Sequence, residues 1–255
     1  MNKFTAALHT SLFVAITLAF TSLAQAQTTA DWTRPVHTWV SAVGDDRNPC
    51  SRLAPCATFA KTISRTPTGG EIDVLDIGSF GPVMITKSIT IDATGAFGGI
   101  IQGDFGLFPE NKPRPFIDGA GIIINITEAG DTAKTVRLRG LSINGAGSAI
   151  DGIRVIAANK VSIEDTVIDG FSKSGINVEA TSAAQVFVKN TTIRNNAGVG
   201  INVMGGGSQV ALSDVTVVYN GTGLAATGGT IISFKNNIIY GNKKDGDPTS
   251  SVTPR

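Results

Sequence analysis

The sequence predicts an all-β solenoid, in which short strands from successive turns of the chain stack in parallel. An apolar pattern recurs in five units that start near Thr135, Lys160, Gln185, Gln209 and Ile231, at spacings of 25, 25, 24 and 22 residues. Within each unit apolar and polar residues alternate, and this period of two is that of a β-strand. Because the units are short and have no long helical pattern, they bury their apolar faces only by stacking.

The inward side chains are predicted to be two alternating apolar residues and a third one five positions later. They are Val136, Leu138 and Ile143; Val161, Ile163 and Ile168; Val186, Val188 and Ile193; Val210, Leu212 and Val217; and Ile232, Phe234 and Ile239. A second strand follows in four units, at 152–155, 175–178, 200–203 and 223–226, and each begins with glycine. We expect these glycines to adopt a positive φ at a sharp turn.

The coils before the repeat are less regular. Strands are predicted at 72–75, 83–85, 89–91 and 121–126. Residues 95–119 fit no coil, and they carry three prolines together with Phe97, Phe105, Phe108 and Phe116. We interpret this segment as an insertion that packs against the side of the solenoid, with a lid or a sugar platform as the alternative.

Residues 1–26 have the form of a signal peptide. Lys3 precedes an apolar run over 6–20, and Ala24-Gln25-Ala26 is a cleavage site of the small-x-small type. We expect a secreted or periplasmic protein cleaved after Ala26, with an uncleaved N-terminal anchor as the alternative. The apolar run is shorter than the roughly 20 residues that cross a bilayer, and no later segment approaches that length, so no membrane insertion is expected.

Cysteine content and charge limit the partners that we expect. In an exported chain Cys50 and Cys56 are expected to form a structural disulfide, since no histidine or further cysteine lies nearby to complete a zinc site. Removing Lys3 with the signal peptide takes the formal charge from +1 to zero, so no overall field attracts nucleic acid or an acidic membrane. We expect a monomeric, single-domain protein without a nucleic-acid partner.

Two other solenoids fit the repeat poorly. A leucine-rich repeat needs leucine where "IEDTVID", "VKNTTIR" and "LSDVTVV" have Thr or Val, and a left-handed hexapeptide helix needs a six-residue period. Over most of residues 36–242 the sequence resembles instead the right-handed parallel β-helix proteins, the architecture of pectate lyases and many bacterial exported repeat proteins. The fold predicted is therefore a single-stranded right-handed parallel β-helix.

The resemblance includes residues 37–75, which look like the N-terminal segment of these proteins. It implies a short capping helix over 57–64, with Phe59, Ala60 and Ile63 against the first coil. The expected organisation is a signal peptide (1–26), an N-terminal cap with the disulfide (27–70), the β-helix (71–242) and a polar tail (243–255). No apolar helix closes the last coil, and we expect the tail to discourage pairing at an open strand edge.

The resemblance also implies two kinds of chemistry on acidic polysaccharides: cleavage by a basic residue acting on a calcium-bound uronate, or hydrolysis by paired carboxylates. The Gly-His-Gly, Arg-Ile-Lys and Asp-Pro-His elements of the histidine-dependent enzymes are absent, and His37 is the only histidine after the signal peptide. Histidine-dependent versions are therefore disfavoured.

Aspartates in the repeat are the candidate cation ligands. Asp165 and Asp214 share a column with Asn190 and Asn236, and Asp169 stacks on Asn144. We interpret the column as a hydrogen-bonded amide ladder at a turn. Calcium binding by Asp165, Asp169 and Asp214 is the alternative.

Arginines on the outward faces are the candidate ligand-binding residues. One predicted column contains Arg139, Glu164, Lys189, Ser213 and Lys235, and the column beside it contains Arg137, Ser162, Phe187, Ala211 and Ser233. We interpret the opposite charges as surface pairs that set the register. In the alternative, Arg137, Arg139 and Arg154 clamp a carboxylated sugar, and Arg137 or Arg139 is the catalytic base. The acids that a lyase needs do not cluster near them in the sequence.

Together these patterns favour an exported β-helix protein with a non-catalytic role, which contacts glycan or another surface component through its long faces. The alternative is a polysaccharide-active enzyme, a metal-assisted lyase of acidic polysaccharide. Calcium is the one cofactor that the sequence suggests, and only for this alternative.

Overall fold

The computed structural model describes residues 36–96, 98–101 and 119–253, all within the compact unit formed by residues 33–255. These residues form one helix, α1 (Phe59–Arg65), and 22 strands. The strands are, in chain order, β1 (His37–Val40), β2 (Gly70–Val74), β3 (Gly78–Ser79), β4 (Val83–Ile85), β5 (Ile89–Asp92), β6 (Gly98–Ile101), β7 (Ala120–Asn125), β8 (Thr135–Arg139), β9 (Leu141–Asn144), β10 (Asp151–Ala157), β11 (Lys160–Glu164), β12 (Val167–Asp169), β13 (Ser174–Val178), β14 (Gln185–Lys189), β15 (Thr192–Arg194), β16 (Val199–Val203), β17 (Gln209–Ser213), β18 (Thr216–Val218), β19 (Thr222–Ala226), β20 (Thr230–Ser233), β21 (Ile238–Tyr240) and β22 (Ser250–Ser251).

Within the described residues these strands form three parallel sheets. The first sheet has the order β1-β2-β5-β8-β11-β14-β17-β20-β22, the second β4-β7-β10-β13-β16-β19, and the third β3-β6-β9-β12-β15-β18-β21. Each coil passes through the first, the third and then the second sheet, as β8, β9 and β10 do. The predicted winding of the chain into stacked parallel coils is confirmed.

The repeated apolar positions form the core. Val161 pairs with Val136 and Val186, so equivalent positions of successive coils stack directly. Strands in one sheet lie about 4.8 Å apart, and each inward side chain therefore contacts its copies above and below. Burial of one such Val or Ile contributes ~1.5–3 kcal/mol. This explains why the inward pattern repeats while the outward residues vary.

Glycine is the second residue of four second-sheet strands for a steric reason. Gly152, Gly175, Gly200 and Gly223 do not adopt a positive φ, so the predicted conformation was wrong. A Cβ on Gly175 would lie 2.5 Å from Cγ2 of Ile193 and 2.8 Å from the carbonyl oxygen of Gly200. The glycine column therefore allows close approach between the chain and its neighbours at this corner.

Positive φ occurs instead at two other corners of the coil, and one of them is the turn between the first and the third sheet. Asp165, Asn190 and Asp214 have φ values of 52°, 44° and 55°. Asp and Asn adopt this left-handed conformation more readily than other non-glycine residues, because their short polar side chains hydrogen-bond locally. The conformation of the turn explains why these residues recur in one column.

The last complete coil departs from the predicted register by one residue. Ile231 pairs with Val210 and is buried, whereas Ile232 is not. Ser233 takes the next inward position, and Phe234 lies on the outer face. The prediction that Ile232 and Phe234 point inward was wrong, because a shift of one residue exchanges the two faces of a strand.

Helix α1 packs on β1, β2 and β4 at the N-terminal end of the stack. Thr58 is its N-cap, and a carboxylate oxygen of Asp46 accepts a hydrogen bond from the Thr58 backbone N–H at 3.0 Å. Phe59 and Ile63 are buried as expected, whereas Ala60 is exposed. The predicted capping helix is present, with its buried face turned slightly from the expected one.

Cys50 and Cys56 form the predicted disulfide. The bridged loop is fastened to β1 by the backbone, since Trp39 N–H donates to the carbonyl of Cys50 at 2.9 Å and Cys56 N–H donates to the carbonyl of Trp39 at 3.0 Å. The disulfide is compatible with an extracellular protein. In the part of the chain that the structure describes, no helix is long and apolar enough to cross a membrane.

The C-terminal tail pairs with the last strands of the first and the second sheets, so the expectation of an open edge was wrong for these two sheets, whereas β21 is the edge strand of the third. β22 adds to β20 in the first sheet. The backbone N–H groups of Gly223 and Leu224 donate to the carbonyls of Lys244 and Asp245 at 2.8 and 2.9 Å. The polar tail has no apolar period that predicts this pairing, because the contacts are made by the backbone.

Part of the predicted insertion, 95–119, belongs to the coils. β6 pairs with β3 and β9 in the third sheet, so the interpretation of the whole segment as an insertion was wrong for residues 98–101. Phe97 and residues 102–118, which contain the other phenylalanines of this segment, lie outside the described residues. The predicted signal peptide, 1–26, also lies outside them.

Candidate functional site

The outer face of the first sheet brings two predicted arginines next to acids of the upstream coils. One outward column aligns His37, Glu71, Thr90, Arg137 and Ser162, and the neighbouring column aligns Trp39, Asp73, Asp92, Arg139 and Glu164. Because adjacent strands lie about 4.8 Å apart, charged groups of the two columns are within contact distance.

Both arginines form ion pairs on this face. Arg137 binds Glu164 through two hydrogen bonds, Nε to Oε1 at 3.0 Å and Nη2 to Oε2 at 2.9 Å. Nη1 of Arg139 donates to Oδ2 of Asp92 at 2.8 Å, and its Nε lies 3.5 Å from Oε2 of Glu164. The four side chains link β5, β8 and β11, as expected for pairs that set the register.

This network lowers the pKa of its acids. Hydrogen bonds from Arg137 hold the pKa of Glu164 below its ordinary value, and burial opposes them only in part. Burial raises the pKa of Asp92, but hydrogen bonds from Thr94 and the charge of Arg139 outweigh it and bring that pKa below its ordinary value. Both carboxylates are therefore ionised at neutral pH, and they remain paired with the guanidinium groups of Arg137 and Arg139.

The expectation that acids do not cluster near Arg137 and Arg139 was wrong. Glu71 and Asp73 on β2, and Asp92 on β5, lie in the same two columns. The alternation of apolar and polar residues in "EIDV" and "ITID" indicates in the sequence that these three acids lie on the outward face of their strands. These upstream coils differ in length from the regular units, so the columns could not be extended from the repeat period alone.

His37 joins the acids at the N-terminal edge of this face. Its Nδ1 lies 3.1 Å from Oδ2 of Asp73, and one ligand atom from each of His37, Glu71 and Asp73 lies within 4.8 Å of the others. The imidazole stacks on Trp39, with ring centroids 6.1 Å apart and planes at 27°. Burial and the charge of Asp73 raise the pKa of Glu71. The position of His37 beside β2 was not predicted from the sequence.

Arg154, the third arginine of the predicted clamp, lies on the second sheet. Its Nε is 3.0 Å from Oε1 of Glu179 and 3.5 Å from Oδ2 of Asp151. Asp151 is fully buried. Burial raises the pKa of Asp151, and its neighbours Arg154, Ser174 and Asn177, which act to lower that pKa, offset this only in part. The structure does not bring Arg154 together with Arg137 and Arg139.

The three predicted cation ligands accept hydrogen bonds from the next coil. The donors are Nδ2 of Asn190 to Asp165 at 2.8 Å, Nδ2 of Asn236 to Asp214 at 3.1 Å, and Nε of Arg194 to Asp169 at 3.0 Å. These contacts agree with the amide-ladder interpretation. Among the described residues, the side chains grouped closely enough to hold one metal ion are those of His37, Glu71 and Asp73.

A second, buried amide ladder was missed in the sequence. Oδ1 of Asn220 accepts from Nδ2 of Asn196 at 2.8 Å, and Nδ2 of Asn220 donates to Oδ1 of Asn242 at 2.9 Å. The same Nδ2 lies 3.0 Å from the carbonyl oxygen of Val218, which accepts a further hydrogen bond. The ladder fixes the corner between the third and the second sheet in the last coils.

Beside this corner, two tyrosines are exposed on the outer face of the third sheet. Tyr219 and Tyr240 have 65% and 71% of their surface accessible. Tyr240 pairs with Val218, the residue that precedes Tyr219, so the two tyrosines come from neighbouring coils. Neither belongs to the inward apolar pattern, so the repeat does not single them out.

The backbone at Tyr219 is unusual for an aromatic residue. Its φ is 60°, and the corresponding residues of neighbouring coils, Gly170, Asn195 and Gly241, also have positive φ. Glycine and asparagine tolerate this conformation, whereas a bulky residue is strained there. A Cβ on Gly241 would lie 3.3 Å from Cε1 of Tyr219, so the ring rests where the next coil has no side chain.

A groove of about 280 Å³ lies beside Tyr219. Its lining includes Asn195, Asn196, Asn220 and Lys243. This volume is below the roughly 300 Å³ at which small-molecule sites begin, and the groove is open to solvent. The amides of Asn196 and Asn220 are buried and bonded within the ladder, so Asn195, Tyr219 and Lys243 are the side chains that can offer hydrogen bonds to a small polar group.

Comparison with protein families decides the class of the solenoid. The family described as "Right handed beta helix region" matches residues 120–247, half of the chain. The chain belongs to this family. The match covers the coils from β7 onward, and the right-handed β-helix predicted from the repeat is thereby confirmed. No curated protein matches the sequence.

Two solved structures are similar to this right-handed β-helix protein. The pectate lyase Pel9A aligns with a TM-score of 0.55 and 14% identity, over 77% of this chain and 52% of the lyase chain. A rhamnogalacturonan lyase aligns with a TM-score of 0.47 and 12% identity, over 77% of this chain and 66% of the other. The chain thus spans about half the length of the pectate lyase, and that similarity shows a shared architecture.

Proposed function

We propose that this β-helix protein is a non-catalytic module that binds polysaccharide on the outer face of its last coils. The observation that carries the proposal is Tyr219, an exposed tyrosine that lines a polar groove, with a second exposed tyrosine, Tyr240, on the neighbouring coil. A tyrosine ring offers an apolar face for a sugar ring and a hydroxyl for its polar edge. Exposed pairs of this kind suit a sugar chain that lies across the surface.

The strained backbone of Tyr219 supports this role. A left-handed conformation costs a non-glycine residue roughly 1–2 kcal/mol. Packing does not compensate fully, because 65% of Tyr219 is exposed. Contact with a ligand provides a reason for an aromatic residue where Gly170 and Gly241 occupy the equivalent turns.

The polar groups of the groove complement the rings. Asn195 and Lys243 line it beside Tyr219, and their side chains can donate to sugar hydroxyl or carboxylate oxygens. The groove is close in volume to the smallest ligand sites, so we expect it to hold one sugar unit of a longer chain.

The ion pairs of the first sheet favour binding over the lyase alternative. A catalytic base must be free to take a proton from the substrate. Arg137 and Arg139 are instead bound to Glu164 and Asp92, and Arg154 lies on another sheet. These contacts leave the lyase alternative without a free arginine base, because both candidate bases, Arg137 and Arg139, are paired.

The test is a binding and product assay on a panel of acidic and neutral polysaccharides, in calcium and in chelator. We expect affinity electrophoresis to show retention by at least one polysaccharide, with no unsaturated sugar or new reducing ends. Formation of either product would overturn the non-catalytic role. Absence of retention across the panel would overturn the glycan ligand.

The Tyr219→Gly variant tests the contribution of Tyr219 to polysaccharide binding. Glycine suits a positive φ, so we expect an unchanged or raised melting temperature together with at least tenfold weaker binding, ~1.4 kcal/mol. Phe187→Ala, which removes an aromatic ring from the first sheet, is the matched control and is expected to bind like the parent. Equal binding by Tyr219→Gly and the parent would remove the proposed site.

A further inference from the structure

We propose that His37, Glu71 and Asp73 bind a divalent transition-metal ion, with zinc as the representative, on the outer face of β1 and β2. This site is independent of the proposed polysaccharide site. It lies at the N-terminal end of the first sheet, whereas the tyrosines lie on the third sheet in the last coils.

The register brings the three side chains together. His37 is paired with Glu71, and Trp39, two residues after His37, is paired with Asp73, so all three ligands project from the same face of two adjacent strands. One ligand atom from each lies within 4.8 Å of the other two, and Nδ1 of His37 is 3.1 Å from Oδ2 of Asp73. Small side-chain rotations therefore suffice to place three ligands around one ion.

The donor set selects the class of metal. One imidazole nitrogen and two carboxylates are typical ligands of zinc and of other first-row transition metals, whereas calcium and magnesium prefer oxygen ligands alone. Three protein ligands on an exposed face leave a coordination position for water or an external ligand. The expected ion is therefore of the zinc class, not the calcium that the sequence suggested for the aspartate column.

The local charge favours a cation. Glu71 and Asp73 lie side by side, and Asp92 follows on the next strand of the column that contains Asp73. The charge of Arg137, two strands further along the column of Glu71, reaches that carboxylate, but Arg137 is bound to Glu164. The ion pair of Asp73 within the described ranges is with His37. A divalent ion would neutralise both carboxylates, which the single imidazole cannot do.

The site is built on supported backbone. β1 is held on one side by β2 and on the other by the disulfide loop, through the hydrogen bonds of Trp39. Oγ1 of Thr38 hydrogen-bonds Oγ1 of Thr66 at 2.7 Å in the interior. The stacked indole of Trp39 restricts the orientation of the His37 ring. Ligands on rigid strands hold a metal geometry better than ligands on loops.

Zinc titration by calorimetry tests the site on untagged, chelator-treated full-length protein, since a polyhistidine tag binds zinc itself. We expect one zinc ion per chain, and at least tenfold weaker binding in His37→Gln and in Asp73→Asn. Asp165→Asn/Asp214→Asn is the matched control, because it removes two acids from the turn column, and it is expected to bind zinc like the parent. Parent protein that binds no zinc, or His37→Gln that binds as tightly as the parent, would overturn the proposal.

Quenching of tryptophan fluorescence by Co²⁺, combined with a thermal melt, distinguishes loss of the metal site from loss of the fold. Because the rings of His37 and Trp39 are 6.1 Å apart, bound Co²⁺ is expected to quench the fluorescence of Trp39 in a Trp32→Phe background. His37→Gln should keep its thermal melt without metal and lose the quenching. Quenching that persists in a folded His37→Gln variant would place the ion elsewhere.

Discussion

The coils up to β11 and the coils after it bury similar side chains but expose different ones. Upstream, the outer face of the first sheet carries the ionic array from Glu71 to Glu164. Downstream, the same face carries Phe187 and Phe234, with ring centroids 6.3 Å apart, and the third sheet carries the two exposed tyrosines. Stacking restricts only the inward positions, so one continuous core supports a charged surface at one end and an aromatic surface at the other.

The two halves also differ in the polar contacts that hold them. The upstream network consists of charged side chains near the surface, whereas the downstream coils have a buried ladder of neutral amides. Exposed ion pairs contribute little because water screens them, while a buried amide without its partners is costly. We therefore expect the downstream half to tolerate polar substitutions less well.

Asn220→Ala should give the largest effect. It removes the acceptor of Asn196 and the donor to Asn242 in the interior, and we expect a loss of ~3 kcal/mol in the free energy of unfolding by urea titration. Asn236→Ala, which removes an exposed ladder contact to Asp214, is the control and should cost ~0.5 kcal/mol. Equal losses would contradict the contrast between buried and exposed ladders.

Deletion of residues 243–255 should give the next largest effect. The deletion removes β22 and the carbonyl acceptors of Gly223 and Leu224, so it leaves backbone groups of the last strands unpaired. We expect a loss of ~2 kcal/mol in the free energy of unfolding, measured by urea titration. A deletion of 252–255 alone, which keeps β22, is the control. No difference between the two deletions would show that the tail pairing adds no stability.

Asp151→Asn, unlike the two changes above, is expected to stabilise the protein, and it acts in the upstream half. Burial raises the pKa of Asp151 in the folded state. The ionised carboxylate therefore destabilises the folded state fully above that pKa, and this destabilisation is absent below the unfolded-state pKa. Arg154 keeps Glu179 as its ion-pair partner in this variant, so no buried charge is left unpaired. We expect a melting temperature higher by about 2–4 °C at pH 7, which is ~1 kcal/mol for a chain of this size, and no gain at pH 3. Asp165→Asn, at an exposed turn, is the control; a lower melting temperature of Asp151→Asn at pH 7 would contradict the argument.

Glu164→Gln should give the smallest effect and the opposite pH dependence. Arg137 depresses the folded-state pKa of Glu164. The stabilisation of the fold by the ionised Glu164 carboxylate is therefore complete above the ordinary pKa of glutamate, and it is lost as the pH falls through the folded-state pKa. We expect a loss of ~0.5 kcal/mol at pH 7 and none at pH 2.5, from thermal melts across this range. A deficit that persists at pH 2.5 would point to packing instead of charge.

The core could be predicted from the sequence because packing determines which residues face inward. The two candidate sites could not be predicted in this way. Val83–Ile85 has the predicted bounds, since strand period and apolar content are local signals. The cluster of His37, Glu71 and Asp73 depends on pairing between coils of unequal length, for which the sequence has no period. Tyr219 was missed because its signal is a backbone conformation, which becomes visible only when the turns of successive coils are superposed.

The loop closed by Cys50 and Cys56 occupies the outer edge of β1 through backbone hydrogen bonds with Trp39. An edge that is already paired cannot accept a strand from another molecule. The loop is also held by hydrogen bonds that do not involve the sulfur atoms, from Ser41 N–H to the carbonyl of Cys56 and from Asn48 to the carbonyl of Pro55. Protection of the N-terminal end against self-association is therefore built into the backbone of this loop, with the disulfide as a further restraint.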